Sequence, residues 1–126
     1  MSSCPFCQVD SDRVLVESDL ALAFWDAYPL TEGHALISPR RHAASIYQLS
    51  AEDQFALWAL VGEVRTLLLQ RYAPDGFNIA VNDGIAAGQT IAHAHVHVIP
   101  RRTGDVPDPR GGVRNIIPAK ARYWDL

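Results

Sequence analysis

Five short stretches of the chain are rich in β-forming apolar residues, and the fourth and fifth also alternate with a period of two, which is typical of β-strands. These stretches are residues 13–17, 20–25, 34–39, 77–82 and 93–99. The turn residues Ser18 and Asp19 separate the first two stretches and predict a hairpin. In the fourth stretch we expect Phe77, Ile79 and Val81 to point inward. Pro100 is expected to end the last strand.

One longer stretch has the periodicity of an α-helix. Ser50 and Asp53 predict a capping box that opens this helix, which we expect to end near Tyr72. Its apolar positions are Phe55, Leu57, Trp58, Leu60, Val61, Val64, Leu67, Leu68 and Tyr72. Because these positions cover more than one face, the surplus face predicts a partner, most simply a second copy in a homodimer.

The pattern as a whole predicts an α+β fold. We expect an antiparallel sheet of about five strands, one long helix and a short helical turn between Ala43 and Leu49. At 126 residues the chain is expected to form one domain, residues 1–126, with a core of residues 1–105 and a tail of residues 106–126 that packs on the core. In the tail, Tyr123 and Trp124 are the large side chains expected to make this contact.

Composition and charge narrow the classes of partner. No apolar run approaches the roughly 20 residues of a membrane span, and the first residues lack the pattern of a secretory signal, so we expect a cytoplasmic protein without a structural disulfide. Residues 1–99 carry 5 Lys and Arg against 11 Asp and Glu, whereas residues 100–126 carry 6 against 3. The acidic balance argues against nucleic acid as a partner. The basic tail suits a small phosphorylated ligand or is simply a solvated surface.

Three of the five histidines, His93, His95 and His97, occupy alternate positions of the last predicted strand. A strand would place all three rings on one face and Ala94, Val96 and Val98 on the other. The outer two rings would then lie about 13 Å apart, too far for one metal ion to bind all three. The histidines are therefore expected to have different functions.

The residues before this strand are suited to phosphate binding. Asn82, Gln89 and Thr90 offer amide and hydroxyl groups within a loop rich in turn residues. The stretch from Gly88 to Ile99 resembles the motif of the histidine triad (HIT) family of nucleotidyl hydrolases and transferases, in which three histidines alternate with apolar residues. The resemblance extends from Cys4 to about Asp105 and implies a HIT-like fold and a homodimer.

The resemblance also implies functions for individual residues. The central His95 would attack phosphorus as a neutral imidazole, and His97 would hydrogen-bond the phosphate and the leaving group. The other nitrogen of His95 must then carry the proton, and we expect a main-chain carbonyl to accept its hydrogen bond. Asp26 would bind the ribose hydroxyls, although its position is equally that of an Asp that ends a strand. His34 would lie beside the triad and orient its rings. The loop residues Asn82, Gln89 and Thr90 would complete the phosphate site.

Two cysteines with C-x2-C spacing, Cys4 and Cys7, supply half of a zinc site. The histidines outside the nucleotide chemistry, His34, His42 and His93, are candidates for the remaining ligands. The family resemblance implies that Cys4, Cys7, His42 and His93 bind a structural zinc ion. The alternative is a pair of buried reduced thiols with no metal. No catalytic cofactor and no magnesium site are expected.

The resemblance leaves the substrate open. The segment from Pro100 to Asp105 is similar to the fragile histidine triad branch, whose members hydrolyse dinucleoside polyphosphates, whereas Asp26 and Asn82 are similar to the nucleoside phosphoramidase branch. We favour a hydrolase that releases a nucleoside monophosphate from a dinucleoside polyphosphate. An adenine nucleotide is expected from the family alone. The alternatives are a phosphoramidate hydrolase, a nucleotide-binding module without turnover, and a protein with a catalytic metal bound by the last two triad histidines.

Overall fold

A computed structural model describes residues 3–125 as a five-stranded antiparallel sheet with one long helix on one face. The strands are β1 (Val14–Glu17), β2 (Ala21–Trp25), β3 (Ala35–Pro39), β4 (Gly76–Ala80) and β5 (Val96–Arg101). Their order in the sheet is β1-β2-β3-β5-β4. The helix α1 spans Ala51–Tyr72, and a short 3-10 turn spans Ile46–Gln48. These elements confirm the predicted α+β fold, and no helix within residues 3–125 is long and apolar enough to cross a membrane.

The core lies between α1 and one face of the sheet. Ala23 of β2 is paired with Ile37 of β3, and Ile37 is paired with Val96 of β5, so these buried side chains share a face. The helix contributes Leu57, Leu60, Val61, Val64 and Leu68 to the same core. The opposite face of the sheet is therefore available for polar side chains.

Two apolar residues of α1 lie outside the buried stripe. Phe55 is 77% exposed and Trp58 is 45% exposed. The buried face is set by Leu57 and the residues that follow it at steps of three and four, and Phe55 lies about 200° around the helix from Leu57. The prediction that the helix has more than one apolar face is confirmed.

The start of α1 is capped differently from the prediction. The Ser50 hydroxyl accepts a hydrogen bond from the backbone N–H of Asp53 at 3.1 Å, as expected. The Asp53 carboxylate does not complete a capping box at α1. Its Oδ2 accepts a hydrogen bond from Nε of Arg41 at 3.0 Å. A complete capping box instead joins Ser45 and Gln48 around the preceding 3-10 turn.

The last strand begins and ends later than predicted. β5 starts at Val96, so only His97 of the three triad histidines lies within it. The preceding segment leaves the sheet because the Ala94 N–H donates to the carbonyl of Ala43, at 2.7 Å. Pro100 does not end the strand, since its carbonyl points away from β4 and accepts a bond from the Thr31 hydroxyl. The missing N–H of Pro100 is on that side, where no strand is paired with it.

The edge strand β4 also corrects one inward position. Ile79 is 42% exposed, whereas Phe77 and Val81 pack against the core. Ile79 is paired with Val98 of β5 but has no strand on its other side. The side chain therefore faces the helix side of the sheet at its uncovered margin.

After β5 the chain forms three short 3-10 turns, at Gly112–Ile116, Pro118–Lys120 and Tyr123–Asp125. The guanidinium groups of Arg110 and Arg122 lie 4.6 and 5.7 Å from the ring centre of Trp124. Asp108 accepts hydrogen bonds from both arginines. These contacts give the tail a local structure, while Tyr123 stays 59% exposed.

Candidate active site

The candidate catalytic side chains lie on the sheet face opposite α1. His97 of β5 is paired with Leu36 of β3 and Ala80 of β4, and alternation along β5 turns it away from the buried Val96 and Val98. His95 precedes the strand, and its ring centre lies 5.1 Å from that of His97. The two rings are therefore neighbours although only one belongs to the sheet.

The tautomer of His95 follows from one hydrogen bond. Nδ1 of His95 lies 2.8 Å from the carbonyl oxygen of His93, and the side chain is buried. A carbonyl oxygen can only accept, so Nδ1 must carry the proton. In the neutral ring Nε2 then has an unshared electron pair, which is the form that can attack an electrophile.

A chain of hydrogen bonds sets the tautomer of His97 in the opposite sense. The backbone N–H of Leu30 donates to Nδ1 of His34 at 3.0 Å, so the proton of the neutral His34 ring is on Nε2. This Nε2 lies 2.9 Å from Nδ1 of His97 and donates to it. The proton of the neutral His97 ring is therefore on its own Nε2. His95 thus offers an electron pair and its neighbour His97 offers a hydrogen-bond donor.

The surroundings keep these rings neutral. Burial, followed by the neighbouring rings of His95 and His34, lowers the pKa of His97 to about 4, against an opposing contribution from Asp26. Burial also lowers the pKa of His34, opposed again by Asp26. Near neutral pH both rings are therefore uncharged, as the hydrogen-bond chain requires.

Asp26 borders the two rings from the end of β2. Its Oδ2 lies 3.4 Å from Nε2 of His34 and 4.0 Å from Nδ1 of His97, while Oδ1 accepts from the Tyr28 N–H at 2.7 Å. Asp26, His34 and His97 come close enough together to be considered as metal ligands. The bond from Leu30 argues against that use, because it puts a proton on the Nε2 atom of His34 that would have to bind the metal.

The loop before the triad is braced by Gln89. Its Oε1 accepts from the Gly84 N–H at 2.8 Å, and its Nε2 donates to the carbonyls of Ala44 and Ile91 at 2.8 and 2.9 Å. Both amide protons are therefore used within the protein, so the phosphate contact expected of Gln89 would require these bonds to rearrange.

The other two loop residues differ in exposure. Thr90 is exposed and lines a cavity of about 540 Å³ together with Cys4, His42 and Ala92. Asn82 is half-buried and follows β4. The phosphate contacts expected of Asn82, Gln89 and Thr90 stay predictions.

Cys4, Cys7, His42 and His93 form a second group, hereafter the thiol–imidazole cluster. Nδ1 of His93 lies 3.4 Å from Sγ of Cys4, 3.6 Å from Sγ of Cys7 and 3.2 Å from Nδ1 of His42, and the Cys7 sulfur lies 3.2 Å from the His42 nitrogen. Tetrahedral zinc with its usual bond lengths separates S and N ligands by about 3.5 Å and two N ligands by about 3.3 Å. The spacing of the four donor atoms therefore fits a zinc ion.

The orientation of His93 supports the same conclusion. Its Nε2 lies 2.8 Å from the carbonyl oxygen of Pro39 and must donate to it, so the electron pair is on Nδ1 and faces the cluster. Burial lowers the pKa of His93, which favours the neutral form that a metal needs. His93 therefore points its ring at the cluster and its carbonyl at His95.

The main-chain acceptor expected for the His95 proton is the carbonyl of His93. The backbone groups of Leu30 and Pro39, which set the tautomers of His34 and His93, were not predicted, and nothing in their residue types indicates them. Phe6 was also missed, although its ring centre lies 5.0 Å from that of His95. Its place inside the C-x2-C pair was the only signal available.

Comparison with known proteins identifies the family. A family model described as the HIT domain matches residues 8–104, and the chain therefore belongs to the HIT domain family. The adenosine 5′-monophosphoramidase of Schizosaccharomyces pombe is 36% identical over 103 residues, covering 79% of this chain and 74% of that protein. The bis(5′-adenosyl)-triphosphatase of Dictyostelium discoideum is 29% identical over 97 residues, covering 77% of this chain and 65% of that protein.

Solved structures give the same result. The structure of SMU.412c from Streptococcus mutans UA159 is 33% identical and aligns with a TM-score of 0.77, covering 86% of this chain and 71% of that one. Family membership and the HIT-like fold are thus confirmed. Both curated relatives are named as enzymes, so the comparisons also confirm the prediction of an enzyme of the histidine triad type.

Proposed function

We propose that this protein hydrolyses a dinucleoside polyphosphate and releases a nucleoside monophosphate through a nucleotidyl intermediate on His95. The observation that carries the proposal is the opposite protonation of two adjacent rings. The bond from Nδ1 of His95 to the His93 carbonyl leaves an electron pair on Nε2, and the chain through His34 leaves a proton on Nε2 of His97. A nucleophile and a donor for the phosphate oxygens are thus side by side.

In the first step Nε2 of His95 attacks the phosphorus next to the nucleoside. An N–P bond forms, the P–O bond to the rest of the polyphosphate breaks, and the leaving oxygen takes the electron pair. The Nδ1 proton stays on the ring, whose positive charge is stabilised by the His93 carbonyl. The Nε2–H of His97 donates a hydrogen bond to the oxygen on which negative charge develops, and one such donor typically contributes about 10²- to 10³-fold in rate.

In the second step a water oxygen attacks the same phosphorus. The N–P bond breaks and its electron pair returns to Nε2 of His95, while the surplus proton of the water passes to solvent. The nucleoside monophosphate is released and the ring regains its starting tautomer. The two steps together consume one water molecule.

The neutral state of His97 favours a polyphosphate as substrate. A leaving phosphate group with a second pKa of about 6 departs as an anion and requires no proton from the enzyme. An amine that leaves a phosphoramidate must gain a proton. Because the pKa of His97 is lowered to about 4, only a small fraction of His97 is in the protonated, acidic form near neutral pH. The phosphoramidate hydrolase remains the second candidate, because the phosphoramidase of S. pombe is the more similar of the two named relatives, at 36% against 29% identity.

The remaining site residues are assigned in accordance with their positions. Asp26, beside His34 and His97, would accept hydrogen bonds from the ribose hydroxyls. Asn82 and Thr90 would contact phosphate oxygens, and Gln89 would shape the loop and contact phosphate only after releasing a present bond. An adenine nucleotide is proposed because the names of both relatives refer to an adenosine group.

The thiol–imidazole cluster is proposed as a structural zinc site with Cys4, Cys7, His42 and His93 as ligands. A zinc ion there would have four protein ligands and no open position, so it would supply folding energy rather than chemistry on the substrate. It would tie the N-terminal segment to the loop after β3 and to the residue before Ala94. We propose no catalytic cofactor.

The assembly and location are also proposals. The exposed apolar side chains of α1, including Phe55, Trp58 and Leu69, suit a second copy of the chain, and sedimentation equilibrium tests the proposed homodimer. The acidic balance of residues 1–99 supports a cytoplasmic enzyme of small molecules without nucleic acid or membrane partners.

The test of the proposed function is product analysis by chromatography with diadenosine triphosphate, diadenosine tetraphosphate and adenosine 5′-phosphoramidate. We expect wild-type protein to release AMP from a diadenosine polyphosphate faster than from the phosphoramidate, and His95→Ala to release none. Faster cleavage of the phosphoramidate would select the second candidate. Binding of all three without any product would make the protein a nucleotide-binding module.

A further inference from the structure

The turn that contains both cysteines presents one aromatic side chain at its tip. The backbone N–H of Cys7 donates to the carbonyl of Cys4 at 3.2 Å, which closes a tight turn around Pro5 and Phe6. Both ends of the turn belong to the thiol–imidazole cluster. The position of the Phe6 ring is therefore determined by the residues that form the cluster.

The Phe6 ring lies on the same face of the sheet as the candidate catalytic residues. Its centre is 5.1 Å from that of Phe24, which is fully buried and shares a face with Leu36 and His97 through the pairing of β2, β3 and β5. The Phe6 ring also meets His95 edge to face, at 5.0 Å and an angle of 83°. Phe6 thus contacts both a buried side chain of the sheet and the candidate nucleophile.

The His95 ring needs such a support. The bond from Cβ to the ring and one hydrogen bond, from Nδ1 to the His93 carbonyl, hold one edge of the ring but still allow the ring to tilt about that edge. The ring of His97 limits the tilt on one side, at 5.1 Å between centres, and Phe6 limits it on another. Together the three contacts fix the direction of the Nε2 electron pair.

We propose that Phe6 is a positioning residue that fixes the direction of the Nε2 electron pair of His95. We further propose that the thiol–imidazole cluster fixes the position of Phe6 by holding the turn that contains it. The inference rests on the proposed function, in which His95 is the nucleophile. A second connection runs through His93, whose ring faces the cluster and whose carbonyl accepts a hydrogen bond from Nδ1 of His95. Loss of the metal would therefore disturb His95 through its hydrogen bond and through its ring contact.

The first test compares Phe6→Leu with the control Tyr47→Leu, an aromatic-to-leucine change at a residue of the 3-10 turn that is 78% exposed. We expect Phe6→Leu to lower kcat about 10- to 100-fold, the range typical of a misaligned reacting group, with KM changed less than about threefold. Tyr47→Leu should leave both unchanged. A raised KM with unchanged kcat would mean that Phe6 contacts the substrate and would overturn the proposal.

The second test reads His95 without turnover, by long-range ¹H–¹⁵N NMR of the imidazoles in the zinc-loaded protein. Wild-type protein should show one His95 tautomer, protonated at Nδ1, and Phe6→Leu should show a mixture of tautomers or a broadened signal. Removal of the metal from wild-type protein by a chelator should have the same effect. An unchanged His95 spectrum in either case would overturn the corresponding half of the proposal.

A cobalt control separates positioning from loss of the cluster. Phe6→Leu should bind one Co²⁺ with the same visible absorption as wild-type protein, since none of the four proposed ligands is altered. If the variant loses the metal, Phe6 acts as a structural part of the cluster and the proposal fails. If wild-type protein cleaves none of the nucleotides, the proposed function fails instead, while the NMR comparison still decides whether Phe6 positions His95.

Discussion

The carbonyl oxygen of His93 lies 2.8 Å from Nδ1 of His95, while the ring of the same His93 faces two sulfur atoms and the His42 nitrogen. One residue thus joins the candidate metal site to the candidate nucleophile. Because the connection uses the main chain, it does not require the His93 side chain to take part in the reaction. The first histidine of the triad is a structural residue in this account, and the central one is the reacting group.

Replacement of His34 tests the hydrogen-bond chain that sets the tautomer of His97. In His34→Asn the shorter side chain would not reach Nδ1 of His97, so the proton of that ring would no longer be confined to Nε2. We expect kcat to fall about 10- to 100-fold, less than after removal of His97 itself. Steady-state kinetics with a diadenosine polyphosphate measures the effect.

The matched control is His34→Gln, whose amide nitrogen can occupy the position of the histidine Nε2 and donate the same bond. This variant should keep kcat within a few-fold of wild type. Equal losses in the two variants would show that His34 acts by packing rather than through its proton.

The pKa of His97 makes a prediction about stability against pH. The folded pKa of about 4 lies below the ordinary value of 6.5, so between these values the unfolded chain binds more protons than the folded one. The contribution of His97 to the free energy of unfolding should therefore be complete above about pH 6.5 and should decrease as the pH is lowered toward about 4. Urea unfolding of the wild type at pH 5 and pH 7 should show lower stability at pH 5.

The variant His97→Asn isolates this contribution, because the replacement does not titrate in that range. The difference in stability between pH 7 and pH 5 should be smaller in the variant than in wild type. The hydrogen bond from Arg101 lowers the pKa of Asp105 to about 2. Asp105 therefore titrates below the range from pH 5 to pH 7 and does not disturb the comparison. An identical difference in both proteins would contradict the burial of a neutral His97.

The thiol–imidazole cluster predicts a defined metal content. Wild-type protein purified with zinc should contain one zinc ion per chain, and Cys7→Ser should contain much less, because serine is a poor zinc ligand. Elemental analysis after dialysis measures the ratio. If wild-type protein binds no zinc after reconstitution, the zinc site is wrong, and Cys4 and Cys7 are a pair of reduced thiols with no metal.

Ser50 provides a test of the fold away from the site. Its hydroxyl caps α1 through the N–H of Asp53, and Ser50→Ala should lower the free energy of unfolding by about 1 kcal/mol. Ser50→Asn should stay near wild type, since asparagine is an equally good N-cap. Denaturant unfolding of the three proteins shows whether the cap contributes as expected.

The sequence predicted the elements of the fold because each has a local signal. Runs of β-forming residues located the strands, and Ser50 with the apolar residues that follow located α1. Ile79 was misplaced because burial depends on which side faces another element, and an apolar residue at an uncovered edge has the same local pattern as one in the core. The late start of β5 depends on the bond from Ala94 to the distant Ala43, which has no local signal.

For the site, the sequence supplied the candidate reacting side chains and the expectation that a main-chain carbonyl holds the His95 proton. The spacing of His93, His95 and His97 and the C-x2-C pair can be read directly from the sequence. The other tautomers depend on backbone groups brought together by folding, such as the Leu30 N–H and the Pro39 carbonyl. Any residue type can supply such a group, so the sequence could not predict which residues make these contacts.

If His95 carries the nucleotide during turnover, the covalent intermediate on this residue can be trapped. Wild-type protein would be mixed with diadenosine tetraphosphate labelled with ³²P at the phosphorus next to the nucleoside, quenched in base within milliseconds, digested and analysed by mass spectrometry. We predict a base-stable, acid-labile nucleotidyl group on His95 and none in His95→Ala. Release of labelled AMP by the wild type without a labelled protein, or a label on His93 or His97, would contradict the account.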